Sequence, residues 1–171
     1  MNIVEQAKLY IGQRETENNG GFESPSFQKK MQDIGWQLGD AWCASFVKLV
    51  WMEAYKCDLA RLLELEHLFS PSAVATYRNF DASDWKTQNA DGSPIRIPSV
   101  GALVVWRMGN SESGHIGIVT EVLSNTAFKS IEGNTNEAGG REGIEVAEKK
   151  RAINRRFLPN GLNLLGFILP K

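Results

Sequence analysis

The stretch G-D-A-W-C-A-S-F-V-K-L-V-W, from Gly39 to Trp51, decides the reading of this chain. Turn chemistry at Gly39-Asp40 gives way to a wide apolar face. Cys43, Val47, Val50 and Ala54 form one stripe, and Trp42, Phe46 and Leu49 its neighbour, the pattern of a core helix over residues 41 to 55. Cys43 then falls in the first turn, with Gly39-Asp40 as N-cap chemistry. There a thiol meets the positive end of the helix dipole, which favours the thiolate. Taken alone, a sulfur on an apolar stripe is more simply a packing group, because free cysteine is among the most buried residue types. The rest of the chain has to decide between the two.

Upstream, helical spacing over residues 2 to 11 and 26 to 34 brackets a polar, turn-rich loop, R-E-T-E-N-N-G-G-F-E-S-P. Downstream, residues 58 to 69 and 72 to 79 read as two further helices. The connection from 80 to 98 reads as irregular and carries an isolated Trp85. After Pro98 the pattern becomes β: G-A-L-V-V-W-R-M, H-I-G-I-V-T-E-V-L, A-F-K-S-I-E, G-I-E-V-A-E and L-G-F-I-L-P are bounded by turn formers. Helices first and sequential strands later predict an α+β fold with an antiparallel sheet and the helices packed to one side. The expectation is a single domain over 1–171, helical over about 1–79 and β over about 99–171.

Composition narrows the function. The chain has 171 residues, 42% hydrophobic and 23% charged, and a formal charge of −1, which is no electrostatic footprint for nucleic acid. Cys43 and Cys57 are the only cysteines, so neither a disulfide scaffold nor a zinc finger is expected. No cofactor or metal is implied. The start lacks a secretory signal, and no run approaches a membrane span, so synthesis in the cytoplasm is expected, with any action outside the membrane needing delivery.

Two histidines are present to pair with a thiol. His67, near a helix end in E-L-E-H-L-F, reads as structural, as does Cys57. His115 opens a strand behind S-E-S-G, where a side chain can project from the rim of a sheet. With Ser124-Asn125 as a two-residue hairpin turn, Leu123 faces Thr126, Gly117 faces Glu132 and His115 faces Asn134. His115, Glu132 and Asn134 then share one face, and Gly117 leaves room for the Glu132 side chain. Cysteine catalysis needs such a set: a base beside the nucleophile, and a carboxylate or amide that fixes the imidazole. Either Glu132 or Asn134 serves as the third member. The Cys43 N–H is the candidate oxyanion donor, with Asp40 or a polar group of the 14 to 21 loop as its helper.

W-C-A-S-F-V, then G-H-I-G-I-V-T-E-V, then I-E-G-N resemble the CHAP domains, cysteine- and histidine-dependent amidohydrolases/peptidases of the NlpC/P60-like, papain-related group that cut bacterial peptidoglycan. The resemblance implies a papain-like fold, with Cys43 as nucleophile, His115 as base, Glu132 as the group orienting it and Asn134 as a further polar member. It also places Glu15, Asn19 and Gly20 near the substrate cleft, and Asp40, Trp42 and Trp85 are added as candidate substrate contacts. Trp85 reads equally well as a core residue or a sugar-stacking platform, and Trp106 as core or sheet face. The chain departs from its relatives at Gly101-Ala102, where they commonly show Gly-Asp. The implied partner is peptidoglycan, cut at the sugar-to-peptide amide or within its peptides; the role is that of a phage-type lysin, a secreted antibacterial effector or a house-keeping wall enzyme, with the first two fitting better and a holin or a secretion system as the means of delivery. Two other functions stay open: a cysteine peptidase acting on proteins, and a wall-binding module without catalysis.

Overall fold

A computed structural model describes residues 2–17, 20–90, 97–135, 143–153 and 156–171. Among these residues five helices come first: α1 (Ile3–Lys8), α2 (Pro25–Asp33), α3 (Cys43–Ala54), α4 (Leu59–Leu68) and α5 (Ala73–Asp81). Their starts follow local chemistry. Asn2 and Glu5 form a capping box on α1, while Ser24, Asp58 and Ser72 each accept a backbone N–H at the head of α2, α4 and α5. Six strands follow among the described residues: β1 (Thr87–Asn89), β2 (Leu103–Met108), β3 (Gly114–Val122), β4 (Ala127–Thr135), β5 (Glu145–Ala152) and β6 (Leu162–Ile168). All pair antiparallel in one sheet of order β1-β6-β2-β3-β4-β5, so the predicted α+β architecture is the observed one.

The sheet buries both faces. Phe46, Val47, Val50 and Trp51 of α3 pack with Leu103, Val105, Ile116, Ile118 and Ile131 in the main core. Val104, Trp106, Val119, Phe128 and Phe167 form a second, smaller cluster from the alternate positions of the same strands. No helix among the described residues is long and apolar enough to cross a membrane.

Three expectations change. The 80 to 98 connection contains β1, which extends the sheet by pairing with β6. Trp85, beside it, is buried in an aromatic cluster with Trp51, Tyr55 and Phe80, and its Nε1 donates to Glu64 at 2.9 Å, so it is a core residue and no platform. Its amphipathic ring was ambiguous because α3 and α5 meet there only in three dimensions. Cys57, expected to pack, is exposed just past the end of α3.

The β3–β4 hairpin differs from its predicted form and still reaches the predicted result. Leu123 and Ser124 both donate to the Ala127 carbonyl, so the turn holds Ser124, Asn125 and Thr126, one residue more than expected. The pairing then slips between Val119 and Glu121, where Thr120 is the extra residue of a β-bulge. Beyond it the predicted pairs return, Val119 with Ser130 and Ile118 with Ile131.

Candidate active site

The helix carrying the thiol starts at Cys43 itself, with Trp42 as N-cap. The expected Gly39-Asp40 cap is therefore corrected. Asp40 lies in the preceding turn, where its N–H donates to the Gln37 carbonyl at 3.1 Å and its carbonyl accepts from Trp36 Nε1 at 3.0 Å. No described side chain caps α3, and its first intrahelical bond runs from the Phe46 N–H to the Trp42 carbonyl at 2.8 Å. The N–H groups of Cys43, Ala44 and Ser45 consequently have no intrahelical acceptor and concentrate the positive end of the dipole around the sulfur. Val47 and Val50, fully buried, hold this helix against the sheet.

Across from it, His115 on β3 is buried, hydrogen-bonded to Glu132 of β4 and coupled electrostatically to Cys43. Its Nε2 lies 2.8 Å from Glu132 Oε2. An ionised carboxylate can only accept, so Nε2 donates, which leaves Nδ1 as the ring nitrogen for the thiol. Of the two candidates for the third member, Glu132 is therefore the one that holds the imidazole. The close approach depends on Gly117: a Cβ there would sit 2.6 Å from Glu132 Cγ, as the predicted register implies.

Glu132 is fully buried and accepts from three partners: His115, Ser130 Oγ at 2.6 Å, and Arg151, whose Nε donates to Oε1 at 2.8 Å and whose Nη2 donates to Oε2. Trp106 lies against this group, its ring stacked on His115 at 5.8 Å and met by the Arg151 guanidinium at 5.2 Å. Burial alone would raise the carboxyl's pKa, but Arg151 and His115 bring it down to about 2. Burial would likewise lower that of the imidazole, yet its interactions with Cys43 and Glu132 push it up to about 10. The site thus favours an imidazolium between a sulfur and a carboxylate.

A cavity of about 370 Å³ is lined by Glu15, Asp40, Trp42, Asn134 and Ile144 among others, and so takes in the residues just before Cys43 but neither Cys43 nor His115 themselves. Asn134 stands there in the left-handed region, φ 54°, where β4 leaves its regular pairing with β5. Glu15 is buried, and its Oε2 accepts from Trp42 Nε1 at 3.0 Å. Burial raises its pKa, with the Trp42 bond acting the other way. Trp42 itself is almost wholly buried, and it both lines this cavity and braces Glu15. Gly20 is exposed and outside the lining of this cavity, and Asn19 lies outside the described residues. A larger cavity of about 580 Å³, lined by Ile3, Lys8, Tyr55, Pro170 and others, contains none of the candidate catalytic groups.

Arg151, Ser130 and Trp106 were not singled out from sequence as parts of the site. The run from Arg141 reads as a solvated edge strand, and β5 is indeed the edge, with alternating exposure. Only the register of β5 on β4 shows that Arg151 shares a face with Glu132. Ser130 had a readable signal, being two residues before Glu132 on the same side of a strand.

The CHAP domain family model matches residues 35–134, a span that holds Cys43, His115, Glu132 and Asn134. Among curated proteins, none matches the chain.

Proposed function

The chain belongs to the CHAP domain family, and from that premise we propose that it hydrolyses an amide bond of peptidoglycan with Cys43 as nucleophile. Hydrolytic, cysteine- and histidine-dependent amidase or peptidase chemistry is what the family supplies in general terms. The single observation that carries the reading for these residues is the buried His115, which hydrogen-bonds Glu132 and is coupled electrostatically to Cys43 at the head of α3.

In the proposed reaction the Cys43 thiolate attacks the amide carbonyl carbon and forms a C–S bond, while the negative oxygen faces the free N–H groups at the start of α3. As the C–N bond breaks, the His115 imidazolium passes its proton to the leaving amine. The neutral imidazole next takes a proton from water, whose oxygen attacks the thioester. The C–S bond breaks, releasing the carboxylic acid and restoring the thiolate and imidazolium. Glu132 keeps the ring in the tautomer both steps require. Glu15, Asp40 and Asn134, which line one cavity with Trp42, are the substrate contacts of this reading. The scissile bond is either the N-acetylmuramoyl-L-alanine amide or one within the stem or cross-bridge peptide. The enzyme meets this polymer at the cell wall, after release or delivery from the cell that makes it.

Incubating purified sacculi with wild type and with Cys43→Ala, followed by mass spectrometry of the soluble products, tests the reading. Wild type is expected to release fragments and the variant none. Equal release by both sinks the assignment, and the fragment masses name the bond.

A further inference from the structure

We propose that Arg151, which lies beyond the residues matched by the family, is a positioning residue of the site: its guanidinium locks Glu132 in place and keeps it a carboxylate while His115 changes charge. The inference rests on the proposed Cys43–His115 chemistry.

A carboxylate offers about four acceptor positions, and those of Glu132 are taken. Oε1 accepts from Ser130 Oγ and Arg151 Nε, and Oε2 from Arg151 Nη2 and His115 Nε2. Half of these bonds come from one planar guanidinium, whose fork matches a carboxylate edge and fixes its plane. The guanidinium also lies over Trp106, 5.2 Å from the ring centroid, and the same ring stacks on His115. Arg151 pairs with Phe128 in the β4–β5 ladder and reaches along the sheet face to Glu132, so its side chain, unlike its strand neighbours Lys150 and Ala152, is drawn inward.

The charge argument is separate from the geometric one. Glu132 has no solvent exposure, and a buried carboxylate without a cation takes up a proton or moves to water. His115 balances it only while it is an imidazolium, and in the proposed reaction that proton leaves with the amine. At that stage Arg151 is the remaining cation on Glu132, and a guanidinium does not deprotonate in this range. Cys43, His115, Glu132 and Arg151 form a line of alternating charge, and removing its far end disfavours both anions, the thiolate included.

The test uses the full chain with Arg151→Met, which keeps the stem, and Arg151→Lys, which keeps the charge without the fork. Iodoacetamide alkylation of Cys43 is followed against pH, with exposed Cys57 in the same sample as the reference. With Arg151→Met the Cys43 rate at neutral pH is expected to fall about tenfold, as for loss of one charge-assisted bond, and its rise with pH to move upward, with Cys57 unchanged. Arg151→Lys is expected to recover part of the loss. On a soluble muropeptide substrate kcat falls in both while KM stays, because Arg151 does not line the cavity that holds Glu15, Asp40 and Asn134. An Arg151→Met profile superposable on wild type overturns the proposal. Should that variant fail to fold by circular dichroism, Arg151→Lys decides in the same way. Alkylation needs no substrate, so this outcome is separable from the sacculus experiment, in which activity of Cys43→Ala would remove the catalytic reading itself.

Discussion

At the scale of single residues, the site is a set of charges that hold one another in place. His115 is raised above its ordinary 6.5 and Glu132 lowered below its ordinary 4.5. The signs fix the pH dependence. The stability that His115 contributes is fully present below 6.5 and is lost as pH rises through about 10, whereas that of Glu132 is present above 4.5 and is lost as pH falls through about 2. For the reaction, the imidazolium has to be present, so kcat/KM is expected to hold on the alkaline side until pH approaches about 10. Glu132→Gln keeps an acceptor for Nε2 and removes the charge, and should bring that alkaline limb down toward 6.5 with a loss of rate. A pH–rate profile of both proteins checks this, and a limb that does not move between them refutes the role given to the carboxylate.

At the scale of elements, two junctions do the positioning: the uncapped start of α3 and the base of the β3–β4 hairpin. They press together at Gly133, where a Cβ would lie 2.7 Å from the Trp42 ring and 2.8 Å from Phe46. Gly133→Ala is therefore expected to overpack this seam and cost about 1 to 3 kcal/mol, read from a shift of the urea midpoint at unchanged slope. An unshifted midpoint would mean that α3 and β4 are not in register as described. Much of this was legible in the sequence. Period and boundary residues place all five helices, and the Cys43, His115 and Glu132 motifs stand at the ends of their elements. The Asn134 motif was also legible, but its left-handed backbone and its place in the lining of the cavity are features that no strand period reveals. Arg151 was not legible, since its role depends on a β4–β5 register that a long connection leaves unspecified.

At the scale of the whole molecule, packing and chemistry occupy opposite ends of the central helix. Trp51 lies eight residues after Cys43, about 12 Å along α3 at the usual rise, and anchors the cluster of Tyr55, Phe69, Phe80 and Trp85. Trp85→Ala should then cost about 3 to 5 kcal/mol of stability and leave kcat and KM at 25 °C near wild type. A raised KM with unchanged thermal midpoint would instead restore the ring to a role in holding sugar. The lone thiol outside the site, Cys57, sits beyond this cluster on the surface, which is why it serves as a reference for the reactivity of Cys43.

The bulge at Thr120 has a practical meaning for engineering. Because one surplus residue in the Ser124–Thr126 turn is absorbed between Val119 and Glu121, the tip of the hairpin has slack that its base does not share. Length can vary there without rotating His115 or Glu132 to the wrong side of the sheet. That tip is the natural attachment point for a fluorophore or a heterologous targeting module, fused in mid-chain with the reacting groups undisturbed.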